Sequence, residues 1–229
     1  MSEGNGSRRE LRKAQRRAEV RAAAQRLFAE RGFDRVTIAD VAAAADVAVQ
    51  TVFNHFETKE ALFYDGRTPW VHRTVSAVTD RPPGSDPVAA LRACLEVELA
   101  ELVERESRPE NRGHLEALRS SPALRSHERM LVEQTADQVA AALGTAISAG
   151  DWPAAPTADP ATAHVLSRLI ASLFLAACRV LVLENRRRLL TPGRDDPTPR
   201  STQRTTTATL TELERCVAGL AQRLLEQPR

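Results

Sequence analysis

Lysine is nearly missing from this chain. Of its 32 Lys and Arg residues only Lys13 and Lys59 are lysine, a bias that reads as genome base composition and carries no mechanism. Cysteine is scarce as well. Cys94, Cys178 and Cys216 are odd in number and far apart, with neither CxxC spacing nor a histidine pair nearby, which argues against a disulfide framework and a metal site and leaves reduced thiols. The five histidines, His55, His72, His114, His127 and His164, are scattered. No HExxH, nucleophile elbow, phosphate loop or dinucleotide fingerprint is present, so no enzymatic activity, cofactor or metal is expected. No segment offers the roughly 20 apolar residues that span a bilayer. The best run, Val165 to Leu183, is interrupted by Arg168 and Arg179 and reads as a buried helix. The N-terminus lacks the apolar core of a signal peptide, so a cytoplasmic protein is expected.

What is present suits helices. Aromatic residues make up 4% of the chain and hydrophobic residues 42%, mainly Ala, Leu and Val, a mix that favours an all-α fold with a real core in one large or two small domains. The net charge of +2 is small, but it is unevenly placed. Residues 1–64 hold 11 Lys/Arg and 9 Asp/Glu, while the remainder holds 21 of each. Within the first part, Arg8 to Arg26 carries eight basic residues against Glu10 and Glu19. Such a run is either a solvated helix face or an arm that follows a phosphate backbone. Ahead of the motif described next, the second reading is favoured for Arg8, Arg9, Arg12, Lys13, Arg16 and Arg17.

The most informative stretch is Thr37 to Phe63, TIADVAAAADVAVQTVFNHFETKEALF. Thr37 and Asp40 have capping-box spacing, which starts a helix at Ile38. Its apolar set, Ile38, Val41, Ala42 and Ala45, follows one helical stripe, and the alanines permit close helix approach. After a break at Asp46 and Val47, a second stripe of Val49, Val52, Phe53 and Phe56 leaves Ala48, Gln50, Thr51, Asn54 and His55 on the opposite face. Small uncharged hydrogen-bonding groups on a short helix fit a major groove, where Gln and Asn pair bidentately with adenine, although an ordinary amphipathic surface helix has the same wheel. Thr58 then caps a helix whose first residue is Lys59, bringing a cation and free backbone N–H groups together where a phosphate can bind.

Around this stretch, residues Val20 to Tyr64 resemble the DNA-binding domain of the tetracycline-repressor (TetR) family of transcriptional regulators. The matching residues are RGF at Arg31 to Phe33, the Thr37 cap, AAAADVAVQTVFNHF and TKEALF. Three positions depart from the family pattern. Asp46 stands where the turn usually has Gly, Ala48 stands where the next helix usually has a Ser cap, and Phe53 matches a Tyr whose hydroxyl commonly reaches a phosphate. Asp tolerates φ > 0, whereas Ala cannot accept the capping bond. The resemblance implies backbone contacts by Thr37, His55 and Lys59 and base-edge roles around Gln50, Thr51 and Asn54, with Ala48 and Phe53 on the same DNA-facing surface.

The remaining chain divides by its punctuation. Residues 1–10 are expected to be a disordered basic arm and 11–64 the helix-turn-helix domain, with a first helix from near Leu11 or Arg16 to Arg31, ended by Gly32. The helix from Lys59 is expected to continue as one rod through Trp70 to about Val78. Asp86-Pro87 and Asp159-Pro160 each start a helix, as does Ser121-Pro122. A shorter helix is expected over Pro109 to Arg119. TPGRDDPTPRSTQ, residues 191–203, reads as a loop before a last helix from Thr205 to Glu226. By the resemblance, residues 65–229 form a helical ligand-binding and dimerisation domain. Trp70, Arg73, Cys94, Glu98, Leu102, His114, Met130, Gln134, Phe174 and Cys178 are the candidates for lining its pocket. In the last helix Leu210, Leu213, Val217, Leu220 and Leu224 alternate three and four apart, a two-helix seam. With Leu166, Leu169 and Leu173 of the apolar helix they either build a four-helix homodimer interface or complete the chain's own core.

The function expected is that of a homodimeric regulator of double-stranded DNA, most simply a repressor released from a palindromic operator by a small, largely apolar effector. A helical enzyme or carrier with an incidental head, and a protein-interaction module using the Leu-rich last helix, are the rivals.

Overall fold

The computed structural model describes residues 3–68, 70–191, 193 and 199–226. They form helices joined by short links: α1 (Glu3–Arg31), α2 (Ile38–Ala44), α3 (Val49–Phe53), α4 (Lys59–Tyr64), α5 (Trp70–Thr79), α6 (Pro87–Glu106), α7 (Arg112–Ser120), α8 (Pro122–Ser148), α9 (Pro160–Leu190) and α10 (Pro199–Glu226), with a 3₁₀ turn at Pro109–Asn111 before α7. Among the described residues there is no strand, as the Ala/Leu/Val composition implies.

The helices fall into two compact units. The first comprises the chain up to Thr68 together with Gly113–His127. Its core is built from Val20, Ala24, Leu27 and Phe28 of α1 with Val41, Val52, Phe56 and Leu62, all buried. Phe28, Phe33 and Phe63 close a triangle of rings with centroids 5.3 to 5.7 Å apart, a spacing at which edge-to-face pairs add to simple burial. The second stretch packs on this cluster. His114 stacks on Phe63 at 4.4 Å, Tyr64 donates its hydroxyl to the Leu124 carbonyl at 3.1 Å, and Tyr64 stacks on His127 at 5.3 Å.

The second unit comprises Pro69–Arg112 and Glu128–Arg229. Leu91, Leu95, Leu143, Ile147, Ile170, Phe174, Leu210 and Val217 form its core, joined by Trp152 from the 151–156 loop. Both aspartate-proline starts are present. Asp86 accepts from the N–H groups of Val88 and Ala89 ahead of α6, and Asp159 accepts from Ala161 and Thr162 ahead of α9. A buried ion triad spans three helices here: Arg186 of α9 donates to Glu106 of α6 at 2.8 Å and to Glu128 of α8 at 2.6 Å. Burial pushes the Glu106 carboxyl above its ordinary value, against the pull of Arg186.

Several boundaries differ from the sequence reading. The α1 helix begins at Glu3, ahead of Leu11, although Gly4, Asn5 and Gly6 do not favour helix by themselves; Met1 and Ser2 of the expected arm lie outside the described residues. The rod expected from Lys59 to Val78 is broken. The α4 helix stops at Tyr64, Gly66 takes a φ of 72°, and α5 starts afresh at Trp70. The last helix starts at Pro199, not Thr205, so residues 199–203 of the expected loop are helical; Pro192 and Arg194 to Thr198 lie outside the described residues. By length and composition α9 could also cross a membrane, a correction to the two-arginine argument, yet Leu166, Ile170 and Phe174 are buried in the core of the second unit.

Candidate nucleic-acid interface

The interface begins with a capping box. Thr37 accepts from the Asp40 N–H at 3.1 Å, and the Asp40 carboxylate accepts from the Thr37 N–H at 2.8 Å and from its hydroxyl at 2.6 Å. The Thr37 side chain, and next its backbone N–H, hold the Asp40 carboxyl below the usual carboxylate value. The turn that follows is closed by Asp46 at a φ of 52° and by the Val47 N–H donating to the Ala42 carbonyl at 3.0 Å. Ala48 then starts α3 with extended backbone and no side-chain cap.

On α3 the buried stripe is narrower than its spacing implies. Val52 and Phe56 are buried, but Val49 is 42% exposed and Phe53 45%. At about 100° per residue both lie on the Gln50 side of Val52, away from the centre of the stripe. The outer surface therefore carries Val49, Gln50, Phe53 and Asn54, with Ala48 at its edge and Thr51 and His55 half-buried. Gln50 Nε2 donates to Asn54 Oδ1 at 3.2 Å, bracing the two amides along the helix.

Among the described residues the cations divide into unpaired and committed groups. Arg8, Arg9, Arg12 and Lys13 lie on exposed turns of α1, and Arg16 pairs with Glu19 at 3.2 Å. Arg17 is committed. It donates to the His55 carbonyl at 2.6 Å and to Asp65 at 2.5 Å, and its guanidinium carbon sits 4.3 Å over the Phe56 ring. Lys59 is turned inward too. Its ammonium donates to the Phe33 and Val36 carbonyls, each at 3.1 Å, and lies 4.2 Å over the Phe33 ring, so one of its three donors remains for any outside group. His55 Nδ1 is buried and finds no hydrogen-bond partner among the described residues. Burial first, then Arg17, Lys13 and Arg16, lowers the pKa of this imidazole. Glu10, Lys13, Ala14, Arg17, Asn54 and His55 line a cleft of about 270 Å³. Glu10 and Asp65 were not visible as members of this site; Asp65 is 48 residues from the arginine it holds, and no local spacing announces such a pair.

The pocket candidates do not converge. Arg73 donates to Glu98 at 2.7 Å and to Glu101 at 2.9 Å, and burial, then Glu98, pushes the nearby Cys94 thiol up to about 11. Trp70 and Leu102 are half-buried, while Met130 and Gln134 face outward. Phe174 is buried in the core of the second unit, burial pushes the Cys178 thiol up to about 12, and His114 is spent on Phe63 in the first unit. Two grooves in the second unit, of about 400 Å³ beside Trp152 and about 510 Å³ between α6 and α10, are lined by none of the ten.

The seam candidates split by burial. Leu166, Leu210 and Val217 lie in the chain's own core and have no apolar surface left for a partner; Leu213, which packs against that core, and Leu220 are half-buried. Leu169 at 39%, Leu173 at 41% and Leu224 at 38% stay exposed, and Val165, Val180 and Leu183 extend that open face along α9.

Residues 20–64 match the profile of the bacterial regulatory proteins, tetR family. No curated protein matches the chain. Among solved structures it is similar to native NalD, the secondary repressor of the MexAB-OprM multidrug efflux pump in Pseudomonas aeruginosa, with 20% identity and a TM-score of 0.52 over 87% of this chain and 96% of that one. It is similar to SmeT, the repressor of the Stenotrophomonas maltophilia multidrug efflux pump SmeDEF, with 21% identity and a TM-score of 0.52 over 87% of this chain and 89% of that one. At these identities the likeness is one of fold.

Proposed function

We propose, on the match of residues 20–64 to the profile of the bacterial regulatory proteins, tetR family, that this chain is a tetR-family homodimeric repressor that leaves its operator when a small molecule binds. The observation that carries this reading is α3, held from beneath by buried Val52 and Phe56 while Gln50 and Asn54 face outward. That helix enters the major groove. Gln50 and Asn54 read base edges, Thr51 adds a hydroxyl contact, and the exposed Val49 and Phe53 supply apolar surface for thymine methyl groups. Arg8, Arg9, Arg12 and Lys13 follow the phosphates, which supply most of the affinity. Thr37 stays with its capping box, and Lys59 acts mainly as a strut between the α1–α2 link and α4, reversing the emphasis of the family-based expectation.

A single helix of five residues has little affinity by itself, so two copies are needed to read two half-sites about one helical turn apart. The open α9 face with Leu169 and Leu173, joined by Leu224 of α10, is the surface for the second copy. The effector must bind the DNA-incompetent state better, by about 1–3 kcal/mol for ordinary coupling. NalD and SmeT, which share the fold, are repressors of efflux pumps, and this supports repression over activation. The test is selection of bound fragments from the source genome, followed by titration of the selected duplex at rising salt. Recovery of a palindrome whose affinity falls steeply with salt supports the reading; absence of any enriched duplex overturns it.

A further inference from the structure

Along α10 the stripe that faces the core carries Leu210, Val217 and Ala221, but one and two turns before Leu210 the same stripe holds Thr206 and Thr202. These side chains are too short and too polar to close on Leu99 and Val103 of α6, and the two helices leave between them a groove of about 510 Å³ lined by all four residues. That size falls within the range of small-molecule sites, about 300–1,000 Å³. Thr206 is only 6% exposed, yet its hydroxyl makes no hydrogen bond among the described residues. A buried hydroxyl in that state is costly unless an outside group meets it.

The α6 wall is short of cations. Arg92 is shared between Glu96 and Glu214, each at 2.6 Å, and Arg73 between Glu98 at 2.7 Å and Glu101 at 2.9 Å. Glu104 has Arg108 at 3.3 Å. Five carboxylates thus meet three guanidinium groups, an excess of two negative charges. Glu101 and Glu104 both line the groove, and like charges three residues apart on a helix repel each other, a strain that a cation between them relieves. Arg200 is the one cation lining the groove among the described residues.

We propose that this groove is the effector site and that the effector is an amphipathic cation. Its ammonium group lies against Glu101 and Glu104, its apolar body covers Leu99, Val103 and the exposed Val97, and an oxygen on that body accepts from the Thr206 hydroxyl. Arg200 opposes it from the rim. The inference rests on the repressor reading above and deepens it by giving the small molecule a chemical class.

The experiment is calorimetry on the full-length chain at neutral pH with three probes of one chain length: 2-(dimethylamino)ethyl octanoate, a matched alkylamine without the ester, and methyl octanoate, the neutral ester. E101Q combined with E104Q should weaken both amines about tenfold and leave methyl octanoate unchanged. T206V, which keeps the shape and removes the donor, should weaken both esters severalfold and leave the ester-free amine unchanged. R200Q should tighten both amines. Should the double glutamine variant not fold, T206V and R200Q carry the same test. Equal affinity of the wild type for all three probes, or loss of all three alike in a folded variant, would overturn the site, since a groove that merely collapses cannot tell charge from ester. Anisotropy titration of the selected operator should then show weaker DNA binding as the ester amine saturates the chain, with a higher concentration needed in E101Q/E104Q. Operator affinity unmoved by saturating amine would overturn the effector role. Failure to bind any duplex, with the probe pattern intact, would instead remove the parent reading.

Discussion

Ala48 opens α3 with the extended backbone of an N-cap but nothing to accept the orphan N–H groups of the first turn. Neighbouring α2 and α4 both have such acceptors in Thr37 and Thr58. Ala48→Ser should therefore stabilise the chain by about 1 kcal/mol, visible as a higher midpoint in urea with an unchanged slope. A second expectation at this scale concerns acid. Burial lowers the pKa of both His55 and His127, with cations adding to the effect at His55 and Glu60 opposing it at His127. The unfolded chain thus binds more protons between the lowered values and the ordinary value of about 6.5, so stability is full above that value and falls as pH drops through the window. The thermal midpoint should decrease from pH 7.5 to 5.5, and H127Q should flatten that dependence; equal slopes for wild type and variant would refute it. Some of this was legible from residue spacing alone. The Thr37–Asp40 box and the φ > 0 at Asp46 are local features, set by neighbours within a few positions. The commitments of Arg17 and Lys59 were not, because Lys59 caps carbonyls 23 and 26 residues away and a charge in a sequence looks the same whether it faces water or a carbonyl.

Helices with a proline at their first turn were found where expected, α6 and α9 each behind an aspartate cap, since both signals act within one turn. The break between α4 and α5 was legible and passed over: Asp65-Gly66 and Pro69 are stop signals inside the expected rod, and Gly66 takes the positive φ there. On α9 and α10 the spacing identified apolar stripes correctly as stripes, but could not say which side faces inward. Leu166, Leu210 and Val217 lie inside the chain's own core and Leu169 and Leu173 outside. A prediction at this scale follows from that division. L169E with L173E should give a folded monomer by light scattering, with helical circular dichroism retained, and should abolish cooperative operator binding. L210A should keep the dimeric mass but cost about 2–5 kcal/mol in stability. A dimer persisting in the double glutamate variant would exclude the α9 face as the interface.

For the molecule as a whole, composition and charge distribution were enough to anticipate an all-α fold with its basic excess near the start of the chain. The ten pocket candidates have no such common signal, because a pocket is assembled from residues distant in sequence, and they scatter over core, surface and both units. Specificity belongs to this scale as well, since it is a comparison between whole duplexes. Q50A should alter which sequences are enriched in a selection, with a salt slope equal to that of the wild type, because base edges release no counterions. A uniform loss across all sequences would place Gln50 among backbone contacts. The first unit, finally, is stitched from two separate lengths of chain, with His114, Leu124 and His127 lying against Phe63 and Tyr64. Cutting after Thr68 to graft this reading head onto a different sensor would strip away that covering and leave Phe63 and Tyr64 wet. A working chimera has to carry both lengths, or supply from its new host a helix that does the same job.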